Sequence, residues 1–313
     1  MKDLLRTADL GPDDLEHLLE LAAAFKDDRK LHHKTLRGQT VVLYFAKPST
    51  RTRLSFEAAV ARLGGTPAVV GPDDLQLGRG ETIEDTARVI SRYAAAFVIR
   101  TSADDQVRAF ADSASIPVVN GLTDGHHPCQ SLADLLTIRE HLGDFEGRKL
   151  AYVGDGDNVA HSLLEGAALA GLDIAVATPP GHAPSPDVVQ RAQQLAERSG
   201  AQVEVTTDPH IAVKDADVVY TDVWLSMGDS ESERSERQHT LVPYRVTPEL
   251  LGEASPDALF MHCLPAHRGD EVTTDVIDGP QSVVFDQAEN RLPTAEAVLY
   301  ALVKGHLKGP IRQ

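Results

Sequence analysis

The sequence predicts an α/β protein of two domains, each a parallel sheet flanked by helices, and three observations lead there. Short apolar runs of the kind that form buried strands, first at residues 40–45, alternate with segments whose apolar residues recur at helical spacing. The alternation breaks at Gly143 and the polar turn Asp144-Phe145-Glu146-Gly147, then restarts at residues 149–153. The 313 residues also exceed the usual length of one domain.

Taken in order, residues 13–26 place Leu15, Leu18, Leu19, Ala22 and Phe25 on one helical face after a Gly11-Pro12 start. Strands are expected at 40–45, 67–70, 96–99 and 117–119, with a helix at 54–63 that stops at Gly64-Gly65 and helical patterns between the later strands. A helix at 132–142 ends the first series. The second reads strand 149–153, helix 160–170, strand 173–177, helix 187–199, then strands at 202–205, 218–220, 259–262 and 283–285. A helix near 294–304 closes the chain. Strands alternating with helices imply parallel sheets covered on both faces, with ligand expected in a cleft at strand C-terminal ends. The expected division is 1–143, 144–291 and a C-terminal helix, 292–313, packing back on the first domain.

A formal charge of −17 argues against polynucleotide binding, whose affinity comes mainly from Lys and Arg on phosphates. No apolar run approaches the ~20 residues of a membrane-spanning helix, so no membrane partner is expected. Cys129 and Cys263, far apart and in no metal-like spacing, suit a reducing cytoplasm, and no structural metal is expected.

The segment Phe45-Ala46-Lys47-Pro48-Ser49-Thr50-Arg51-Thr52-Arg53-Leu54-Ser55-Phe56-Glu57 joins a buried strand to a helix, placing Ser49 to Thr52 at a helix N-terminus. Free backbone N–H groups and the helix dipole favour an anion there, and hydroxyls with Arg51 add donors suited to phosphate. It lacks the glycines and Gly-Lys-Ser/Thr of a nucleotide phosphate loop. On residue types alone, a capped helix bearing a surface arginine fits as well. Gly154-Asp155-Gly156-Asp157-Asn158 after a strand invites a dinucleotide reading, but the third glycine of that pattern falls on Val159.

Ser-Thr-Arg-Thr-Arg after an apolar strand resembles the carbamoyl phosphate signature of the aspartate/ornithine carbamoyltransferase family. Three further segments follow in the family's order: His127-Pro128-Cys129-Gln130, Asp222-Val223-Trp224-Leu225-Ser226-Met227-Gly228, and His262-Cys263-Leu264-Pro265. The last resembles a motif of the ornithine branch that the aspartate branch lacks. The resemblance covers essentially the whole chain. It implies that a carbamoyl group passes from carbamoyl phosphate to the δ-amine of ornithine, with no metal and no cofactor. Ser49, Thr50, Arg51, Thr52 and Gln76 are implied to hold phosphate. Arg100, His127, Gln130 and Arg291 are implied to polarise and orient the carbamoyl group, with Pro128 and Cys129 in the same motif. Asn158, Asp222, Ser226 and Met227 are implied to fix the amino-acid end of ornithine. Cys263 and Leu264 are implied to line the reacting end, and residues 226–238 to form a mobile lid. A homotrimer, or an assembly of trimers, is implied, with Gln76 serving a neighbouring subunit's site. The chain departs from the family at Asp157, where a second asparagine is common, and at Asp73-Asp74, where small hydroxyl residues are expected.

Putrescine and N-acylornithines lack the free amino-acid head that Asp222 and Ser226-Met227-Gly228 would hold, whereas lysine is only one methylene longer, worth ~1–3 kcal/mol. An NAD-dependent oxidoreductase using the Gly154 turn and a non-catalytic binding subunit are the readings from other classes. The missing glycine counts against the first. Intact Arg51, His127, Gln130, Asp222, Cys263 and Arg291 count against the second.

Overall fold

A computed structural model describes residues 1–224 and 237–309 of the chain. Two compact units result: Met1–Leu136 with Glu289–Gln313, and Thr137–Ala288. The division falls inside a helix, Pro128–Leu142, rather than at the Gly143 turn.

In the first unit, helix α1 (Pro12–Asp27) opens with a proline at its first position and Asp13 and Asp14 in its first turn, both favourable at a helix N-terminus. Strand β1 (Thr40–Phe45), helix α2 (Arg51–Arg62) and strand β2 (Thr66–Val70) follow. Next come α3 (Ile83–Tyr93), capped by the Thr82 hydroxyl on the Asp85 N–H, and β3 (Ala96–Arg100). Then α4 (Asp104–Ser113), β4 (Val118–Leu122) and α5 (Pro128–Leu142) complete the run. The sheet order is β2-β1-β3-β4, every pair parallel. Phe97, Val98 and Ile99 of β3 are buried, and Phe97 and Ile99 pack with Val107 and Phe110 of α4. Truncating such a residue, Phe97→Ala for one, costs about 3–5 kcal/mol.

The second unit runs β5 (Lys149–Val153), α6 (Asn158–Ala170), β6 (Asp173–Ala177), α7 (Pro186–Ser199), β7 (Val203–Thr206), α8 (Pro209–Val213), β8 (Val218–Thr221), α9 (Pro248–Leu251), β9 (Leu259–His262), α10 (Thr274–Ile277) and α11 (Val284–Glu289). Its parallel sheet has the order β7-β6-β5-β8-β9. Residues 283–285, expected as a strand, are not one. Ser282 makes a single bridge to Phe260, and the chain then turns into α11. An apolar triplet of this length does not distinguish a strand from a buried helical turn. The last helix, α12 (Arg291–Lys304), belongs to the first unit and packs against α1 and α2. It starts three residues earlier than expected, so Arg291 is its first residue rather than a loop residue before it.

Each sheet order reverses direction once, which opens a crevice at the carboxyl ends of the two strands flanking the reversal. In the first unit those strands are β1 and β3, and Phe45 and Arg100 stand side by side there. In the second they are β5 and β8, aligned through Tyr152 and Tyr220.

Candidate active site

The first unit's polar set grows from the turn into α2, the end of β3 and the first turns of α5 and α12. After β1 the chain passes Ser49 and enters α2 at Arg51. Thr50, at the capping position, makes no side-chain cap hydrogen bond. The first-turn N–H groups of α2 are therefore not taken up by that hydroxyl, as an anion site requires. At the end of β3, Arg100 Nη1 donates to Ser49 Oγ at 3.3 Å. From the last helix, Arg291 donates through Nη2 to Thr52 Oγ1 at 3.1 Å and through Nη1 to Gln130 Oε1. Gln130 Nε2 in turn donates to Asp134 Oδ1 at 2.7 Å, which fixes which way the amide faces. Arg291, Gln130 and Thr52 are buried, so this bonded chain sits in a low dielectric and is correspondingly rigid.

His127 is buried beside this set. Burial, and then the positive charges of Arg291, Arg100 and Arg51, hold its imidazole well below the usual histidine range. It is a neutral ring at physiological pH, able to donate one hydrogen bond to a carbonyl oxygen without adding charge. Pro128 occupies the first position of α5, where a missing N–H costs nothing. Cys129 packs inward, its thiol donating to the Asn120 carbonyl at 3.5 Å, and burial pushes its pKa up to about 12. It stays a thiol, a small packed group rather than a nucleophile.

Gln76 lies apart from these bonds. It is exposed, between the 3-10 turns Pro72–Asp74 and Leu77–Arg79, and among the described residues its side chain makes no hydrogen bond. Asp73 and Asp74 are exposed too. Asp74 turns its carboxylate onto the Gly71 N–H at 2.7 Å, within its own turn.

In the second unit, Asp222 follows β8 and is buried. Its Oδ1 accepts the Cys263 thiol at 2.8 Å and the Val223 N–H at 2.7 Å. Burial raises its pKa, with His262, the Cys263 hydrogen bond and the Val223 N–H acting in the opposite direction. Cys263 and Leu264 follow β9. Leu264 has φ +59°, a left-handed conformation uncommon outside glycine, and its N–H donates to His262 Nδ1 at 2.8 Å. Nε2 of the same ring faces Glu271 Oε1 at 3.2 Å. The donor atoms of Asp222, His262 and Cys263 all lie within 4.8 Å of one another, a spacing that could hold a soft cation. In this structure each of the three is engaged in the hydrogen bonds just given.

Asn158 is the first residue of α6. Asp157 precedes it as the capping residue, its carboxylate accepting the Val159 N–H at 3.3 Å. Asparagine and aspartate cap helices almost equally well, which explains why the chain can depart from the family there. Asp155 accepts the Arg237 guanidinium, and Arg237 Nε also donates to the Trp224 carbonyl at 3.1 Å. Ser226 and Met227, with Gly228 and most of the expected lid, lie outside the described residues. A Cβ at Gly156 would come within 2.5 Å of the His182 carbonyl oxygen and the Pro184 nitrogen. The protein's own backbone fills the close approach that a dinucleotide loop reserves for pyrophosphate, which removes the basis of the NAD reading.

Motif reading did not single out Asp134, Glu271, Asp155 or Arg237. Asp134 carries a usable signal, since it stands four residues after Gln130 on one helix face. Asp155 meets Arg237, and Glu271 meets His262, only through tertiary contacts.

Comparison with known proteins follows the same two-part division. The carbamoyl-P binding domain model of the aspartate/ornithine carbamoyltransferases matches residues 2–140, and their Asp/Orn binding domain model matches residues 146–302. The chain is 52% identical to an ornithine carbamoyltransferase of Acidothermus cellulolyticus, across 97% of each chain. It is also 52% identical to a Pyrococcus furiosus protein named as the anabolic ornithine carbamoyltransferase, across 98% of each. A solved structure of the Pyrococcus furiosus ornithine carbamoyltransferase superposes with a TM-score of 0.93 over 98% of each chain, and one from Campylobacter jejuni, at 35% identity, with 0.91 over 97% of this chain and all of that one.

Proposed function

Because the chain belongs to the aspartate/ornithine carbamoyltransferase family, we propose that it moves the carbamoyl group of carbamoyl phosphate to the δ-amine of L-ornithine, giving L-citrulline and phosphate. The observation that carries this reading is the neutral, buried His127 beside Arg51, Arg100 and Arg291. Three fixed positive charges suit a phosphate, and one uncharged donor among them suits a carbonyl oxygen.

The amine attacks as its uncharged free base, so its lone pair forms the new C–N bond. The carbonyl π electrons move onto oxygen and give a tetrahedral intermediate. Collapse restores the carbonyl, breaks the C–O bond to phosphate and expels phosphate with its electron pair, while the proton lost by the nitrogen is taken up by the departing phosphate. Ser49, Thr50, Arg51 and Thr52 hold the phosphate, with Gln76 added by a neighbouring subunit. Arg100, His127, Gln130 and Arg291 orient the carbamoyl group and stabilise charge developing on its oxygen, with Pro128 and Cys129 shaping the loop. Asn158, Asp222, Ser226 and Met227 hold the amino-acid end of ornithine, and Cys263 and Leu264 line the reacting end. Orientation of bound reactants supplies most of the acceleration such a site needs.

The catalytic unit in this reading is a homotrimer, as the resemblance to the family implies, and the exposure of Gln76 is compatible with its serving a neighbouring copy. Residues 1–143, 144–291 and 292–313 serve as carbamoyl phosphate domain, ornithine domain and returning helix. No helix among the described residues is long and apolar enough to cross a membrane, and a cytoplasmic enzyme is the reading adopted. The anabolic name of the Pyrococcus furiosus relative supports a place in arginine biosynthesis.

An amine panel tests the proposal. With carbamoyl phosphate in excess, ornithine should give ureido product and phosphate in equal amounts, with lysine, putrescine and N-acetylornithine at least tenfold poorer in kcat/KM. Preference for any of those three overturns the choice of ornithine.

A further inference from the structure

Arg100 is the last residue of β3, and His127 lies on the loop that follows the neighbouring strand β4. The bonds that join this loop to the segment after β3 centre on Asp104, the first residue of α4. Its Oδ1 accepts the Thr123 hydroxyl, and its Oδ2 accepts His126 Nδ1 at 3.2 Å. The same Thr123 oxygen accepts the His126 N–H at 3.0 Å and the Asn120 side-chain amide at 3.3 Å. The Thr123 N–H donates to the His126 carbonyl at 2.9 Å, so residues 123–126 close into a turn around one hydroxyl. Two backbone bonds run alongside: Asp124 N–H to the Ser102 carbonyl at 2.8 Å and Thr101 N–H to the Leu122 carbonyl at 3.0 Å.

Gly125 completes the fit, because a Cβ there would overlap the Asp104 carboxylate. Thr123 is fully buried and His126 nearly so. Burial alone would raise the Asp104 carboxyl. Hydrogen bonds from His126 and Thr123, then the charges of His126 and Arg6, hold it below the usual range, so it is ionised at neutral pH.

We infer that Asp104 is a positioning residue for carbamoyl transfer: its carboxylate ties the turn that delivers His127 to the segment that follows Arg100 out of β3. The inference rests on the proposed role of His127. Asp104 also lies in the first turn of α4, where an acid favours the helix dipole. That second role would affect stability alone, so stability and catalysis must be read separately.

The test is a double-mutant cycle in the full-length protein. Steady-state kinetics in carbamoyl phosphate at saturating ornithine, and calorimetric binding of carbamoyl phosphate alone, are measured for four proteins: wild type, Asp104→Ala, His127→Asn and the double variant. A displacement of about 1 Å can cost ~100-fold, so Asp104→Ala should lower kcat/KM for carbamoyl phosphate by ~10–100-fold. Asp104→Asn, which keeps one acceptor for Thr123, should recover part of that. In the His127→Asn background, Asp104→Ala should cost less than about twofold, because the group it positions is gone. If Asp104→Ala does not fold, as judged by circular dichroism and Tm, Asp104→Asn and Thr123→Val take its place in the same cycle.

Activity within twofold of wild type for Asp104→Ala, or an equal loss in both backgrounds, overturns the inference. Loss on His127→Asn with a silent Asp104→Ala removes the inference and leaves the site reading standing. A silent His127→Asn removes both.

Discussion

At the switch point of the first unit the charged side chains are guanidiniums, Arg51, Arg100 and Arg291. At that of the second, Asp157 and Asp222 are buried carboxylates with a thiol beside them, and Asp155 is paired with the Arg237 guanidinium. Guanidiniums keep their charge at any pH a protein survives, whereas buried carboxylates do not. Asp157 is held well above the usual carboxylate range, first by burial and then by the negative charges of Asp222 and Asp155. Two parallel sheets with the same crevice geometry thus present opposite chemistries: a fixed positive set suited to an anion, and a titratable negative set suited to an amino group. Substrate assignment in this fold follows from the loops at the reversal, not from the sheet.

Removing one guanidinium should break the comparison most completely. Arg51→Gln is expected to lower kcat by ~10²–10³, the usual cost of one charge-stabilising donor. It should also abolish calorimetric binding of carbamoyl phosphate while circular dichroism and Tm stay near wild type. A loss below tenfold would mean that the anion binds elsewhere.

The second unit offers a smaller effect with a different signature. Losing one side of a buried charged contact costs about 2 kcal/mol or more, so Asp222→Asn should lower kcat/KM for ornithine roughly thirtyfold while carbamoyl phosphate binds as before. The wild-type value should climb between pH 6.5 and 8.5. An alkyl amine titrates near ~10.4, so its free base grows through that range. A flat profile with chemistry rate-limiting, or equal damage to both substrates in Asp222→Asn, would erase the distinction between the units.

The smallest effect concerns a carboxylate in the first unit that behaves like those of the second. Glu296 of α12 is 1% exposed, and its Oε2 sits 3.4 Å from Arg62 Nη1. Burial raises its pKa to about 7, with the Arg62 charge and hydrogen bond acting in the opposite direction. A raised acid binds its proton more tightly in the folded state. The associated stability is therefore complete below the unfolded carboxylate value and is lost as pH rises through about 7. Glu296→Gln should accordingly raise Tm by a few degrees at pH 8, with the gain shrinking toward pH 5. A Tm difference that does not change with pH would show that Glu296 is ionised throughout.

Much of this contrast is legible in the amino-acid sequence alone. Fully buried parallel strands read as apolar runs, so β1, β3, β5 and β9 stand out. Ser49 to Thr52 can be placed because they follow such a strand at a helix N-terminus, whereas His127, Gln130, Asp222 and Cys263 are placed by the family resemblance of their motifs. Residues 283–285 mislead because a strand and a buried turn of helix share the same short apolar pattern. Glu271 and Arg237 are invisible for another reason. Glu271 meets His262, and Arg237 meets Asp155, only after the chain has folded back on itself. Asp104, 22 residues before His126, is of the same kind. Linear spacing carries information about a site only where one helix or one strand end holds both partners.

Arg291 reaches Gln130 across 161 residues of chain. During synthesis the earlier donors leave the ribosome long before the guanidinium that braces Thr52 and Gln130, by roughly 10–30 s at ordinary elongation rates. Over that interval the nascent chain lacks α12, so Thr52 and Gln130 are without their common donor. Completion of this bonded set is therefore gated by translation itself. A chain that stalls after β9 has the residues of both sheets and still lacks the brace.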